Sequence, residues 1–388
     1  MRVLFLTPRP PWPVRRGDQA RAATLIAGLA VRHDIRVVTL RPPGFPPCHF
    51  PAGVTGAEVT LSWAAGVATA LAHPRLPLQV GLHQCGRFQA AVRSAAETFR
   101  PDATVIVLSR IGTALEALGN VPVVLDLVDS LHLNLQNRAA RQPIAGRLLR
   151  WEAQRIGAFD RALAHRVAHA TVVSQRDLAD LTAADPALAR RISVLPCAVA
   201  VPATMPAARR GGNVVLLQGN LGYFPTVDGA LWFAREVWPV LRRLYPGVEW
   251  RLAGARPSRA IRALGRLPGI NVVPNPENLA EELQRAAVVV APLLSGSGTP
   301  NKVLEAMAAG VPVVTTPAGA AGIDGSAAND LAVAADNWQF AQSVARLLID
   351  HEVADRQAAA AWQYVRRFHS LPVVTRELEE ILSRIVKR

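Results

Sequence analysis

Residues Ser295–Thr316 read SGSGTPNKVLEAMAAGVPVVTT, and the order of residue types there decides how the second half of the chain is read. The apolar run AVVVAPL (287–293) has the length and composition of a buried strand, SGSGTPN (295–301) of a loop, and KVLEAMAAG (302–310) of a helix. That helix stops at a glycine before the next strand, VPVVTT (311–316). A glycine-rich loop leading from a strand's carboxyl end into a helix offers backbone N–H groups and the positive end of the helix dipole to an anion. Lys302, one of only two lysines in a chain that otherwise uses arginine, falls in the first turn of that helix. The dipole disfavours a cation there unless an anion is close, so the placement points to a bound phosphate, with Glu305 one turn on accepting from sugar hydroxyls. The competing reading is a solvated lysine beside an ordinary helix-forming glutamate.

Working outward, the same pattern repeats. RVLFL (2–6), IRVVTL (35–40), TVIVL (104–108), VPVVLDLVD (121–129), ATVVS (170–174) and ISVLP (192–196) are short aliphatic runs separated by longer Ala/Leu/Arg segments. Runs of this kind alternating with amphipathic helices predict a parallel sheet covered on both faces, a Rossmann-like arrangement. Proline, alanine and glycine crowd residues 196–213, after which NVVLLQG, VEWRLAG, INVVP, AVVVAPL, VPVVTT and LAVAA start a second open sheet. The expected division is an N-terminal Rossmann-like domain over 1–200, a linker over 201–212, a second Rossmann-like domain over 213–368, and a C-terminal helix over 369–388 that packs back on the first domain. Ligands of such sheets bind at the carboxyl ends of the strands, and a cleft between two of them is the default site.

With 388 residues, half of them hydrophobic and 19% charged, the chain has the material for two cores and is not disordered. The net charge of +14 suits phosphates, nucleotides or an anionic membrane face, although its arginines are scattered and a compositional bias explains them equally well. Cys48, Cys85 and Cys197 are far apart and lack CxxC spacing, so neither a disulfide framework nor a zinc site is expected, and a reducing cytoplasm is the simplest setting. No run approaches the roughly 18 apolar residues of a membrane span. GxxxxGK[ST] is absent, and no GxGxxG follows the first strand, which disfavours P-loop and nicotinamide chemistry. HRVAH (165–169) puts His165 and His169 on one helical face but lacks the Glu of HExxH.

The run APLLSGSGTPNKVLEAMAAGVPVVTTPAGAAGI (291–323) resembles the nucleotide-sugar loop of family 4 glycosyltransferases, in particular a bacterial branch. PPWPVRRGDQARAATLIAGLA (10–30) is similar to that family's first glycine-containing loop, and LQGNLGYFPTVDGALWFAREVWPVL (217–241) to the opening of its second domain. The resemblance implies an α/β protein of the GT-B fold, two Rossmann-like domains facing across a cleft, with C-terminal helices. It implies a retaining, metal-independent hexosyltransferase of EC class 2.4, cytoplasmic or peripheral to the inner membrane face, serving polysaccharide biosynthesis. Its donor would be a nucleoside-diphosphate sugar and its acceptor a glycan, a lipid-linked molecule or another hydroxyl compound. No cofactor, no metal and no nucleic acid partner is implied.

By position, the resemblance puts Glu305 on the ribose hydroxyls and Lys302 on the diphosphate, with the backbone amides of Gly298 and Thr299. Gly17 lets the first-domain loop approach the diphosphate, Gly219 and Asn220 lie on the donor side, and Asn275 belongs to the loop beside the base. Many relatives carry an E-x7-E pair, whose earlier acid is Ser297 here. His132, in DLVDSLHLN (126–134), matches a region near the transferred sugar, and Asp129 with Ser130 is placed on the acceptor side; a loop histidine without a role is the alternative. Asn278 is also read as a helix cap. Residues 63–99, apolar with scattered Arg and His, fit either core packing or contact with an anionic membrane. Two other readings stay open: a nucleotide-sugar epimerase of the same architecture, and a non-catalytic nucleotide-sugar-binding protein, which Ser297 keeps in play.

Overall fold

The computed structural model describes residues 1–142, 144–207, 212–323 and 331–387; positions 208–211 of the expected linker lie outside the described residues. The chain divides into two compact units, one comprising Met1–Ala198 with Leu371–Arg388 and the other Val199–Ser370.

The first unit runs β1 (Arg2–Thr7), α1 (Gly17–Ala30), β2 (Asp34–Arg41), β3 (Val54–Thr60), α2 (Trp63–Ala72), α3 (Leu78–His83), α4 (Gly86–Phe99), β4 (Ala103–Val107), a 3-10 segment (Ser109–Ala117), β5 (Val123–Val128), α5 (Leu131–Arg141), α6 (Gly146–Arg166), β6 (His169–Val172), α7 (Gln175–Ala183) and β7 (Ile192–Val194). Its strands are all parallel, in the order β3-β2-β1-β4-β5-β6-β7. β1 and β4 are buried along nearly their whole length because helices cover both faces, which is why they read as unbroken apolar runs. β3, at the sheet edge, is mostly exposed and carries Gly56, Glu58 and two threonines; that polarity hides it from a search for apolar runs.

The second unit runs β8 (Val214–Asn220), α8 (Phe224–Trp232), a π-helical turn (Phe233–Val237), α9 (Trp238–Leu244), β9 (Glu249–Ala255), α10 (Arg259–Leu264), β10 (Ile270–Pro274), α11 (Leu279–Arg285), β11 (Val288–Ala291), α12 (Asn301–Ala308), β12 (Val313–Thr315), α13 (Pro317–Ala320), β13 (Ala332–Val333), α14 (Asn337–Ile349) and α15 (His351–Phe368). Its parallel sheet has the order β10-β9-β8-β11-β12-β13. Trp250 on β9, fully buried, packs against Phe233 and Trp238, and Phe340 of α14 meets Phe233 edge to face. In both sheets the strand order reverses once, between β1 and β4 and between β8 and β11. Those switch points are where open parallel sheets hold ligands.

After the second unit the chain returns to the first as α16 (Leu371–Val386). Val374, Leu378, Ile381, Leu382 and Ile385 share one stripe of it and bury against Leu25, Ile26 and Leu29 of α1 and Val3 and Phe5 of β1. Gly28 makes the close approach possible, since a β-carbon there would stand 2.1 Å from Thr375 Oγ1. Leu378→Ala, at a fully buried position, is expected to destabilise the first unit by about 3 kcal/mol, read as a lower urea midpoint; no change would mean the helix is not part of that core.

Candidate functional site

At the switch point of the second unit, β8 ends in Gln218-Gly219-Asn220. Gly219 has φ +118°, and a β-carbon on the neighbouring Gly254 would lie 1.8 Å from the Gly219 carbonyl oxygen, so β8 and β9 close together only as glycines. Asn220 turns the chain by accepting from Gly222 N at 3.0 Å. From the next strand, β11, the loop 292–300 leads into α12. Gly298 has φ +66°, and Gly322 packs on its carbonyl with no room for a β-carbon. The Thr299 hydroxyl donates to the Gly322 carbonyl at 2.7 Å.

Lys302 and Glu305 sit on α12 beside the end of β8. Lys302 Nζ donates to Thr226 Oγ1 of α8 at 2.8 Å, and its carbonyl accepts from Gln218 Nε2 at 3.1 Å. The same amide nitrogen reaches Glu305 Oε2 at 3.3 Å, so one buried glutamine holds both ends of the pair. Gln218 Oε1 and the hydroxyl of Ser295 are buried without a hydrogen-bond partner. Burial pushes the Lys302 ammonium down to about 8, and the Glu305 charge only partly opposes it. Burial pushes Glu305 up to about 7, opposed by Lys302. The two groups therefore do not satisfy each other. A multiply charged anion at the start of α12 would meet an ammonium, free first-turn N–H groups and the helix dipole together.

In the first unit the backbone is strained at two strand ends: Leu108 after β4 has φ +64° and Val128 at the end of β5 has φ +66°, a region that costs a non-glycine residue about 1–3 kcal/mol. Beyond β5, Ser130 caps α5 by accepting from Leu133 N at 3.1 Å, and its own hydroxyl donates to Asp180 Oδ2 at 2.6 Å. His132 Nδ1 lies 3.0 Å from both oxygens of Asp180, while Nε2 faces Gln136 Nε2 at 2.7 Å. Beside a carboxylate, which only accepts, Nδ1 is the donor. Burial acts to raise Asp180, but hydrogen bonds from His132 and Ser130 outweigh it and hold the carboxylate below the usual range. Asp177, one turn earlier on α7, is buried and accepts from Ser130 N at 3.0 Å.

Residues 212–350 match the family described as "Glycosyl transferases group 1". No curated protein sequence matches the chain. Among solved structures, sucrose-phosphate synthase from Thermosynechococcus elongatus superposes with a TM-score of 0.74 at 13% identity over 100% of both chains. HepE from Anabaena in complex with UDP gives 0.70 at 14% identity, covering 99% of this chain and 100% of that one. The α,α-trehalose-phosphate synthase (UDP-forming) from Burkholderia vietnamiensis gives 0.64 at 13% identity over 99% and 100%. The chain has the GT-B fold.

Within that GT-B frame, the sequence-expected residues fall as follows. Gly219, Asn220, Ser297, Gly298, Thr299, Lys302 and Glu305 all lie at the β8/β11 switch point. Asn275, with φ +48°, uses its side-chain oxygen to accept from Arg256 N at 3.0 Å, and so joins the loops after β9 and β10. Asn278 caps α11, accepting from Ala280 N at 3.0 Å. Gly17 is the exposed first residue of α1, whose preceding loop is pinned by Gln19 through Arg15 N at 3.1 Å and the Pro10 carbonyl at 2.6 Å. Asp129, Ser130 and His132 share the turn after β5. HRVAH is not helical throughout: α6 stops at Arg166, His165 pairs with Asp185 at 2.7 Å, and His169 opens β6 facing Ser193 Oγ at 2.8 Å. Val167 and Ala168 carry the chain from helix to strand, which breaks the shared face.

Asp177 and Asp180 escaped the sequence reading. Their signal is an acid pair at i and i+3 in QRDLADL, on the helix that starts at the carboxyl end of β6. Raised from its ordinary 4.5 to about 7, Glu305 keeps a proton in the fold that the unfolded chain has released, so its stability contribution is full below 4.5 and lost as pH rises through 7. Lys302, lowered from 10.5 to about 8, carries the opposite sign and titrates above this window. Between pH 5 and 7 the parent should therefore lose urea stability relative to Glu305→Gln, by at most about 1.4 kcal/mol per pH unit. Parallel curves would refute the burial of that carboxyl.

Proposed function

We propose that this protein is a retaining, metal-independent glycosyltransferase that moves a hexosyl group from a nucleoside-diphosphate sugar to a hydroxyl acceptor. The observation that carries the reading is the desolvated Lys302 ammonium at the amino end of α12, with one hydroxyl for company at a GT-B switch point. The family match over 212–350 and the UDP named with HepE support it.

In this reading the diphosphate lies against the start of α12, met by Lys302 Nζ and the backbone amides of Gly298 and Thr299, while Glu305 takes the ribose hydroxyls. The bond between the anomeric carbon and phosphate oxygen breaks, the sugar gains oxocarbenium character, and charge grows on the leaving diphosphate. Fixed donors aimed at that charge lower the barrier, each by about 3–4 kcal/mol. The acceptor hydroxyl attacks from the side the phosphate leaves, and its proton passes to the leaving phosphate oxygen; retention follows without a protein nucleophile. His132, oriented by Asp180, is assigned to a hydroxyl of the transferred sugar. Ser297 in place of an acid favours one rival, a nucleotide-sugar-binding protein without turnover. With a donor and candidate acceptors, a new glycoside appearing only when the acceptor is present supports transfer, free nucleotide with an altered sugar supports epimerisation, and binding without turnover supports the rival. Lys302→Ala should lower turnover by about 10²–10³-fold and weaken UDP binding in a thermal-shift titration; unchanged values would end the reading.

We further propose that the first unit meets the cytoplasmic face of an anionic membrane. Trp63, Val67 and Leu71 follow one another at four-residue spacing on α2 and are 41%, 50% and 76% exposed, and α2 carries no charged residue. Exposed Leu148 and Trp151 lie on α6, tied to the α2–α3 loop by Arg155, which bonds the carbonyls of Pro74 and Leu76 and stacks on Trp151 at 4.2 Å. Arg75, Arg147 and Arg150 are exposed around them. No helix among the described residues is long and apolar enough to cross a membrane. Flotation with phosphatidylglycerol vesicles should be lost in Val67→Glu/Leu71→Glu; equal recovery with neutral and anionic vesicles would remove the idea.

A further inference from the structure

The segment VVLLQGN forms β8, and Val215, Leu216 and Leu217 are buried as a strand covered on both faces requires. Gln218 comes next and is buried just as fully, at a position where an aliphatic side chain is the rule. Its amide has a fixed direction. Nε2 donates to the Lys302 carbonyl at 3.1 Å, and a carbonyl only accepts, so the nitrogen faces α12 and Oε1 faces away. Oε1 is then sealed from water without a hydrogen-bond partner, an arrangement that works against stability. The second bond of Nε2 goes to Glu305 Oε2 at 3.3 Å.

The two oxygens of Glu305 therefore differ. Oε2 is turned in to Gln218. Oε1 has no hydrogen-bond partner among the described residues and, unlike Gln218 Oε1, is not sealed from water, so it is the oxygen open to a ligand. Lys302 does not alter this, because its Nζ is turned to Thr226 Oγ1 and acts on Glu305 through charge alone. A carboxylate with both oxygens outward takes the two adjacent hydroxyls of a ribose one on each oxygen. With one oxygen outward, it is left a single hydroxyl.

We infer that Gln218 is a specificity-determining residue of the donor site: by taking Oε2 it leaves Glu305 one oxygen for the ribose, so that one of the two ribose hydroxyls goes unread and a nucleoside diphosphate lacking it still binds. The inference rests on the placement of Glu305 on the ribose in the transfer reading. Where the unread group is the 2′-hydroxyl, the donor class includes deoxyribonucleoside-diphosphate sugars.

The test is calorimetric titration of the full chain at pH 8, where Glu305 is mostly ionised, with UDP, 2′-deoxy-UDP and 3′-deoxy-UDP, and with GDP and its two deoxy forms. The base that binds more tightly is the one read. Deleting a hydroxyl that is bonded to a carboxylate costs roughly tenfold or more in affinity. At least one deoxy form should therefore stay within tenfold of its parent nucleotide; losses of tenfold or more for both overturn the inference. Gln218→Met, similar in volume but without the N–H groups, should free Oε2 and drop the tolerated form to tenfold or more below the parent nucleotide. An unchanged ratio in the folded variant overturns the role of Gln218. Should that variant not fold, Glu305→Ala decides: the parent nucleotide and the tolerated form should weaken by the same factor, whereas a larger loss for the parent nucleotide means that both hydroxyls are read. No loss for either takes Glu305 off the ribose and the inference with it. Failure of all six nucleotides to bind removes the donor site as a whole, an outcome distinct from binding that demands both hydroxyls.

Discussion

A charged group carried out of water keeps its charge only where other groups replace the water, and both units are organised around that constraint. Arg21 is the case in which the replacement is complete. It is 4% exposed, grips both oxygens of Asp126 at 2.6 and 2.9 Å, and donates to the carbonyls of Leu195 and Pro196 at 3.0 Å. Thr171 bonds the same carboxylate at 2.9 Å. These bonds tie α1 to β5, β6 and the segment leaving β7, and although burial works against the guanidinium charge, Asp126 more than restores it. Removing either partner would strand the other in the core.

Lys302 and Arg110 are built from the same ingredients but left incomplete. Each is next to the carboxyl end of a strand at which the sheet order reverses, each is desolvated, and each is pushed below its ordinary range. Arg21 is satisfied by the fold itself; on the reading proposed above, Lys302 is completed by the donor's diphosphate.

The fold class was legible because parallel strands covered on both faces have no choice but to be apolar throughout, and glycine and proline mark their ends. What the pattern could not reveal was whatever departs from that rule: β3 at the edge, polar and short of side chains, and the π-helical turn inside the helical run 224–244. The loop before α12 was legible because its lysine, glutamate and glycines are close in sequence. Around the other strand ends Ser130 and His132 could be named but their partner could not, since they meet Asp180 across 50 and 48 positions, and His83 comes near Arg110 only because α3 packs on the segment after β4. Residue types with ordinary local context become chemistry only when the sheet order places their strands side by side.

The first unit is interrupted: 172 residues of the second separate β7 from α16, and its two strands of chain, entering and leaving, run together where Val199 N donates to the His369 carbonyl at 2.9 Å. On a ribosome, where chains fold roughly from the amino end, this order inverts the usual sequence. The inserted unit is whole before α16 has been made, and until then Leu25, Ile26 and Leu29 have no apolar cover on that side. The earlier half of the molecule is thus the later one to complete its core.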